Sequence, residues 1–103
     1  MTETVENVDT LDGYQSEARR TINRGLTEDQ RLLDAAAGLA EEAGEVLSHV
    51  RKHLLQGRTL DREAVALELG DALWCVAITA DTLGISLAEV ARRNVHKLRS
   101  RFP

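Results

Sequence analysis

Apolar residues recur at three- and four-residue intervals through most of the chain, and no stretch carries the two-residue alternation of a half-buried strand. The pattern predicts an all-α protein of four helices. Leu11, Tyr14, Ala18 and Ile22 mark a first helix from about Thr10 to Asn23, followed by a turn through Gly25 to Leu26. Thr27 and Gln30 have the form of a capping box, in which side chains satisfy free amides of the opening turn. The second helix starts there, and Leu32, Ala36, Leu39, Val46 and Val50 carry one face on to about Leu55. Gly38 and Gly44 each cost it roughly 1 kcal/mol relative to alanine, which fits a kink or a close packing contact. Residues 56–60 read as a short polar connection, Asp61 caps a third helix reaching about Leu83, and Gly84 stops it. Ser86 with Glu89 is a second capping box, opening a fourth helix to about Arg99. Residues 1–9 lack periodicity. The expectation is a flexible arm ahead of one domain, residues 10–103, folded as a four-helix bundle.

A length of 103 residues leaves room for one modest core. The chain is 43% hydrophobic but has one Phe, one Tyr and one Trp, so that core has to come from Leu, Val, Ile and Ala. Seventeen acidic against thirteen basic residues give a net charge of -4, which argues against a nucleic-acid partner. The single Cys75 excludes an intrachain disulfide and fits a reducing cytoplasm. Met1 to Thr10 is polar and acidic, unlike a signal peptide, and the apolar run Ala72 to Ala80 is far shorter than the roughly 20 residues that span a bilayer. A soluble cytoplasmic protein with no membrane partner is expected.

The acids of helices 2 and 3 are the candidate chemistry. Glu42 and Glu45 lie three positions apart, about 60° around the axis and nearly one turn along it, so both can point at one ion. Glu68 and Asp71 repeat the spacing. In both helices the first acid sits beside the apolar stripe, Glu42 between Leu39 and Val46, Glu68 between Val65 and Ala72. Packed antiparallel across their short connection, the two helices would bring four carboxylates face to face. Their repulsion calls for a divalent cation, and an all-oxygen donor set favours Mg²⁺ or Mn²⁺ over zinc. Either pair alone is common on solvated helices; two pairs on one seam are not.

Lys52 follows Glu45 by seven residues, nearly the same azimuth about 10 Å further along, in a stripe that also holds His49, His53 and Gln56. Such a lysine either neutralises outer phosphates of a bound polyphosphate or balances nearby acids at the surface. The two histidines read as rim residues, since they lack the second ligand pair of a zinc site. Arg92, Arg93, His96, Lys97, Arg99 and Arg101 concentrate positive charge at the chain's end, partly complementing the helix dipole. Helix 3 is apolar on two sides, Leu67, Trp74 and Ile78 lying away from Val65, Leu69, Val76 and Leu83. A monomer this small does not readily bury both, so a homodimer or homotetramer with Trp74 at or near the contact is expected.

The segments Gly38-Leu39-Ala40-Glu41-Glu42-Ala43-Gly44-Glu45-Val46 and Glu68-Leu69-Gly70-Asp71-Ala72-Leu73-Trp74 resemble the paired E-x-x-E and E-x-x-D signature of MazG-like nucleoside triphosphate pyrophosphohydrolases. The likeness extends through Tyr14, Gln15, Thr21, Lys52, Asn94, Lys97, Arg101 and Pro103, over most of residues 10 to 103, and is to the compact single-domain members. It implies an all-α dimer or tetramer with active sites near subunit contacts, cleaving a nucleoside triphosphate to monophosphate and pyrophosphate. By the same resemblance Glu42, Glu45, Glu68 and Asp71 are metal ligands, and Lys52, Asn94, Lys97 and Arg101 contact phosphate or nucleotide. Glu41 extends the first motif, either as a ligand through water or as the base for the attacking water, a role for which Glu45 is the other candidate. Phosphoribosyl-ATP pyrophosphohydrolase, similar in fold and acids, is a rival reading, and a non-catalytic helical interaction module is another. A di-iron carboxylate bundle is a weaker rival, because its E-x-x-H spacing is absent.

Overall fold

The computed structural model describes residues 8–103 and contains four helices: α1 (Leu11–Arg19), α2 (Glu28–Gln56), α3 (Arg62–Thr82) and α4 (Leu87–Arg101). Most of the arm expected over residues 1–9 lies outside the described residues. No strand occurs among the described residues.

Each helix is bounded by side-chain chemistry. Thr10, Thr27, Asp61 and Ser86 cap the four N-termini, accepting from Gly13, Gln30, Ala64 and Glu89 amides; such caps contribute about 1 kcal/mol each. The Thr27–Gln30 box is reciprocal, the Gln30 side chain accepting from the Thr27 amide. The Ser86–Glu89 box is only half formed, because the Glu89 carboxylate turns forward to Arg92 at 2.9 Å and Arg93 at 3.0 Å. Two stops are left-handed glycines, Gly57 at φ +67° and Gly84 at φ +72°. After α3 the Ile85 amide returns to the Ala80 carbonyl and the Gly84 amide to Asp81, a Schellman closure. α1 ends four residues earlier than its apolar spacing predicts: amides 20 to 22 bond three residues back and the Thr21 hydroxyl donates to the Ala18 carbonyl at 2.8 Å.

α3 is the hub. α2, 29 residues and so about 43 Å long, packs antiparallel along it, while α1 and α4 pack on each other and on its C-terminal half. α4 turns off α3 at 101° and has no close backbone approach to α2. One chain is therefore all-α with the four helices expected, arranged as a long hairpin with the other two helices at one end. Its radius of gyration of 15.9 Å exceeds the roughly 13 Å of a compact domain this size.

The core is small: Ala18, Ala35, Ala77, Ile78 and Leu87, with Tyr14, Ile22, Trp74, Val76 and Val90 packed on it. Ile78, assigned by periodicity to the outer side of α3, is fully buried because α1 and α4 cover that side, and Leu69 and Leu83 of the opposite set are exposed. Ala35, not Ala36, is the buried alanine of α2. Trp74 turns to its own chain, its Nε1 donating to the Thr21 hydroxyl at 2.8 Å. Leu33 and Leu67, each 72% exposed, lie among the large apolar side chains left uncovered on the hairpin. Among the described residues no single helix is long and apolar enough to cross a membrane.

Gln15 holds the helices together. Only 3% exposed, it donates to the carbonyls of Ala77 and Ile85, both at 3.1 Å, and accepts from the Leu87 amide at 2.9 Å. Asp12 accepts from the Ala88 amide at 2.9 Å. With Ser86 on Glu89, three amides of the first turn of α4 are satisfied, two of them from α1. Arg19 adds an ion pair to Asp81 at 2.6 Å.

Candidate metal centre

The seam between α2 and α3 is close at Gly38, where a Cβ would come 2.9 Å from the Cys75 sulfur. Only glycine lets the helices approach this closely at that level. One turn further along α2 is Glu42, and one turn back along α3 is Asp71, with Glu68 beyond it. Carboxylate oxygens of Glu42, Glu68 and Asp71 all lie within 4.8 Å of one another. Oxygens about 2.1 Å from a common Mg²⁺ lie roughly 3–4 Å apart, so the spacing and the donor chemistry both fit a hard divalent cation. Glu42 Oε2 is buried without a hydrogen-bond partner. A buried acceptor with no donor is unfavourable, and a cation is the ligand that would satisfy it.

The electrostatics follow from the crowding. Glu42 is pushed up to about 7, first by the facing Glu68 carboxyl, then by desolvation, then by the charges of Glu68, Asp71 and Glu45. Among the described residues no lysine or arginine lies within ion-pair distance of these acids; His49 Nε2 is 3.8 Å from Glu68 Oε1. Burial, followed by the Asp71 charge, raises the Tyr14 phenol. Burial and the charges of Glu42 and Asp71 raise Cys75, which stays a thiol at neutral pH.

Of the residues singled out in the sequence, Glu42, Glu68 and Asp71 are brought together. Glu45 is exposed just outside that group, near enough for its charge to act on Glu42. Glu41 is exposed beside it. Lys52 is exposed toward the far end of α2, about 25 Å along the helix from Ala35 in the core. Asn94, Lys97 and Arg101 are exposed on α4, at the other end of the chain's fold. A single chain therefore does not gather Lys52 and the α4 residues into one pocket. A groove of about 770 Å³ runs along α4, lined in part by Leu11, Val95, Arg92, Arg93, His96 and Arg99, and contains none of the clustered acids.

His53 proves structural, its Nδ1 donating to the Arg58 carbonyl at 2.7 Å across the α2–α3 connection. Asp12 carries no periodic or motif signal of its own, and Gln15 enters the sequence reading through the family likeness without any sign of its clamping role. The one clue available was that the opening amides of α4 needed acceptors.

The sequence model of the MazG nucleotide pyrophosphohydrolase domain matches residues 30–103. That span holds all four acids and leaves α1 outside. The Gene 37 protein of Mycobacterium phage L5 is 40% identical over 68 residues, 62% of this chain and 60% of that protein. The uncharacterized protein YvdC of Bacillus subtilis (strain 168) is 33% identical over 73 residues, 62% of this chain and 69% of that protein. The matched region thus spans about 60% of the phage protein's length. No solved structure matches.

Proposed function

The chain belongs to the MazG nucleotide pyrophosphohydrolase domain family, and from that premise we propose that it is a Mg²⁺-dependent enzyme hydrolysing (deoxy)nucleoside triphosphates to the monophosphate and pyrophosphate. The observation that carries this is the three-carboxylate cluster around the donorless Glu42 Oε2. Glu42, Glu68 and Asp71 would hold the cation, with Mn²⁺ as a substitute. Bound there, the cation supplies positive charge to the phosphate oxygens and acidifies water. Glu45 has a divided role: it lies at the edge of the ligand group, and its exposed carboxylate can accept the proton of an attacking water, with Glu41 as the alternative base.

Lys52 on α2 and Asn94, Lys97 and Arg101 on α4 are the proposed contacts to phosphate and nucleotide. Their separation within one chain supports a site completed by a second copy, in a homodimer or homotetramer that also covers the exposed leucines of α2 and α3. Nucleotide-pool cleansing in the cytoplasm is the proposed role.

The test is product analysis over a panel of canonical and modified dNTPs and NTPs and phosphoribosyl-ATP, with Mg²⁺ and with Mn²⁺. Release of pyrophosphate from triphosphates supports the reading; selective turnover of phosphoribosyl-ATP replaces the substrate; no turnover and no thermal stabilisation by Mg²⁺ leaves a non-catalytic module.

A further inference from the structure

We infer that His49 is the positioning residue for Glu68, holding that carboxylate oriented for the cation; this rests on the reading of Glu42, Glu68 and Asp71 as cation-holding. His49 follows Glu42 by seven residues and Glu45 by four, so all three share one face of α2. It reaches across the seam, Nε2 lying 3.8 Å from Glu68 Oε1, with both side chains largely enclosed at 26% and 24% exposure.

The chemistry of Glu68 requires such a neighbour. A carboxylate that gives one lone pair to a cation keeps others that, in a half-buried seam, need a donor. The carboxylates clustered with Glu68 are those of Glu42 and Asp71, which have nothing to donate once ionised. Among the described residues His49 is the cation-capable side chain within ion-pair distance of the cluster. The 3.8 Å separation is within ion-pair reach and longer than a hydrogen bond, so His49 acts on Glu68 as a neighbouring polar group that a small side-chain shift brings into donor range. His53, one turn further on, is already committed to the Arg58 carbonyl. His49 also stays outside the group whose donor atoms converge, which makes it a partner of a ligand and not a ligand.

The experiment is Mn²⁺ titration of the nucleotide-free protein, followed by calorimetry or by the spin signal of free Mn²⁺, for the parent, His49→Ala and His49→Gln, with melting curves in chelator. Losing such an outer partner weakens metal binding roughly 10–100-fold, so His49→Ala is expected to raise the Mn²⁺ Kd at least about tenfold. His49→Gln, whose amide nitrogen can take the place of Nε2, recovers most of it, and the metal-free melting temperature stays that of the parent. An unchanged Kd in His49→Ala overturns the inference, whether or not the nucleotide KM rises, and so does a weakened Kd that glutamine fails to restore. If the parent itself takes up no Mn²⁺, the metal centre falls and this inference with it; parent binding matched by His49→Ala overturns the role of His49 alone.

Discussion

The proton on Glu42 determines how the centre answers to pH. Its carboxyl is raised from the usual 4.5 to about 7, chiefly by the facing Glu68 carboxyl. An incoming cation has to displace that proton, so apparent affinity follows the ionised fraction, about a tenth at pH 6, half at pH 7 and nine-tenths at pH 8. Calorimetric titration with Mn²⁺ is therefore expected to give a Kd about tenfold tighter at pH 8 than at pH 6, with roughly half a proton released per ion at pH 7. Metal-free stability runs the opposite way. A carboxyl whose folded pKa lies above its unfolded one binds more protons when folded, so its contribution is present at low pH and is lost as pH rises from about 4.5 through about 7. Glu42→Gln removes both slopes: its metal-free melting temperature loses that decline, and Mn²⁺ no longer raises it. A parent Kd that is the same at pH 6 and pH 8, or a Glu42→Gln protein with the parent's pH profile, refutes the reasoning.

Three other outcomes are expected. Gly38→Ala sets a methyl against the Cys75 sulfur; overpacking costs roughly 1–3 kcal/mol against a helix gain of about 1 kcal/mol, so urea unfolding should show a net loss that disappears in the Cys75→Ala background, and a stabilised single variant counts against the close seam. Gln15→Ala strands two carbonyls and the Leu87 amide and should lower unfolding free energy by about 2–4 kcal/mol; a loss within about 0.5 kcal/mol, the level of ordinary surface substitutions, means the clamp is idle. Glu45→Gln should reduce kcat at least about 100-fold while Mn²⁺ still binds within a few-fold of the parent; loss of Mn²⁺ binding instead makes Glu45 a ligand and leaves Glu41 as the base.

The caps explain why so much of the fold is legible in the chain. Thr27, Asp61 and Ser86 announce three helix starts chemically, and Gly84 announces a stop, so those boundaries follow from local groups. The end of α1 does not, because Ile22 continues the apolar spacing while Thr21 closes the helix through its own hydroxyl. The inward side of α3 is equally hidden: with large apolar residues on both sides, periodicity carries no preference, and α1 and α4 make the choice. In the candidate site the three-residue spacing brings Glu42, Glu68 and Asp71 into one neighbourhood yet does not say that Glu45 stays at its edge, since the two acids of a pair differ by about 60° in azimuth. Gln15 leaves no trace in a pattern that counts only apolar positions.

The acceptors that α1 lends to α4 imply an order of assembly. The α2–α3 hairpin closes over a five-residue connection, residues 57–61, and its contacts, such as Gly38 on Cys75, are nearer in sequence than those between α1 and α4. The bonds that aim α4 join Asp12 to Ala88 and Gln15 to Leu87, 76 and 72 residues apart. Ring closure over such distances follows local packing in time. The acidic seam is thus expected to form on the hairpin first, with the direction of the basic helix settled when the first helix comes to rest against both.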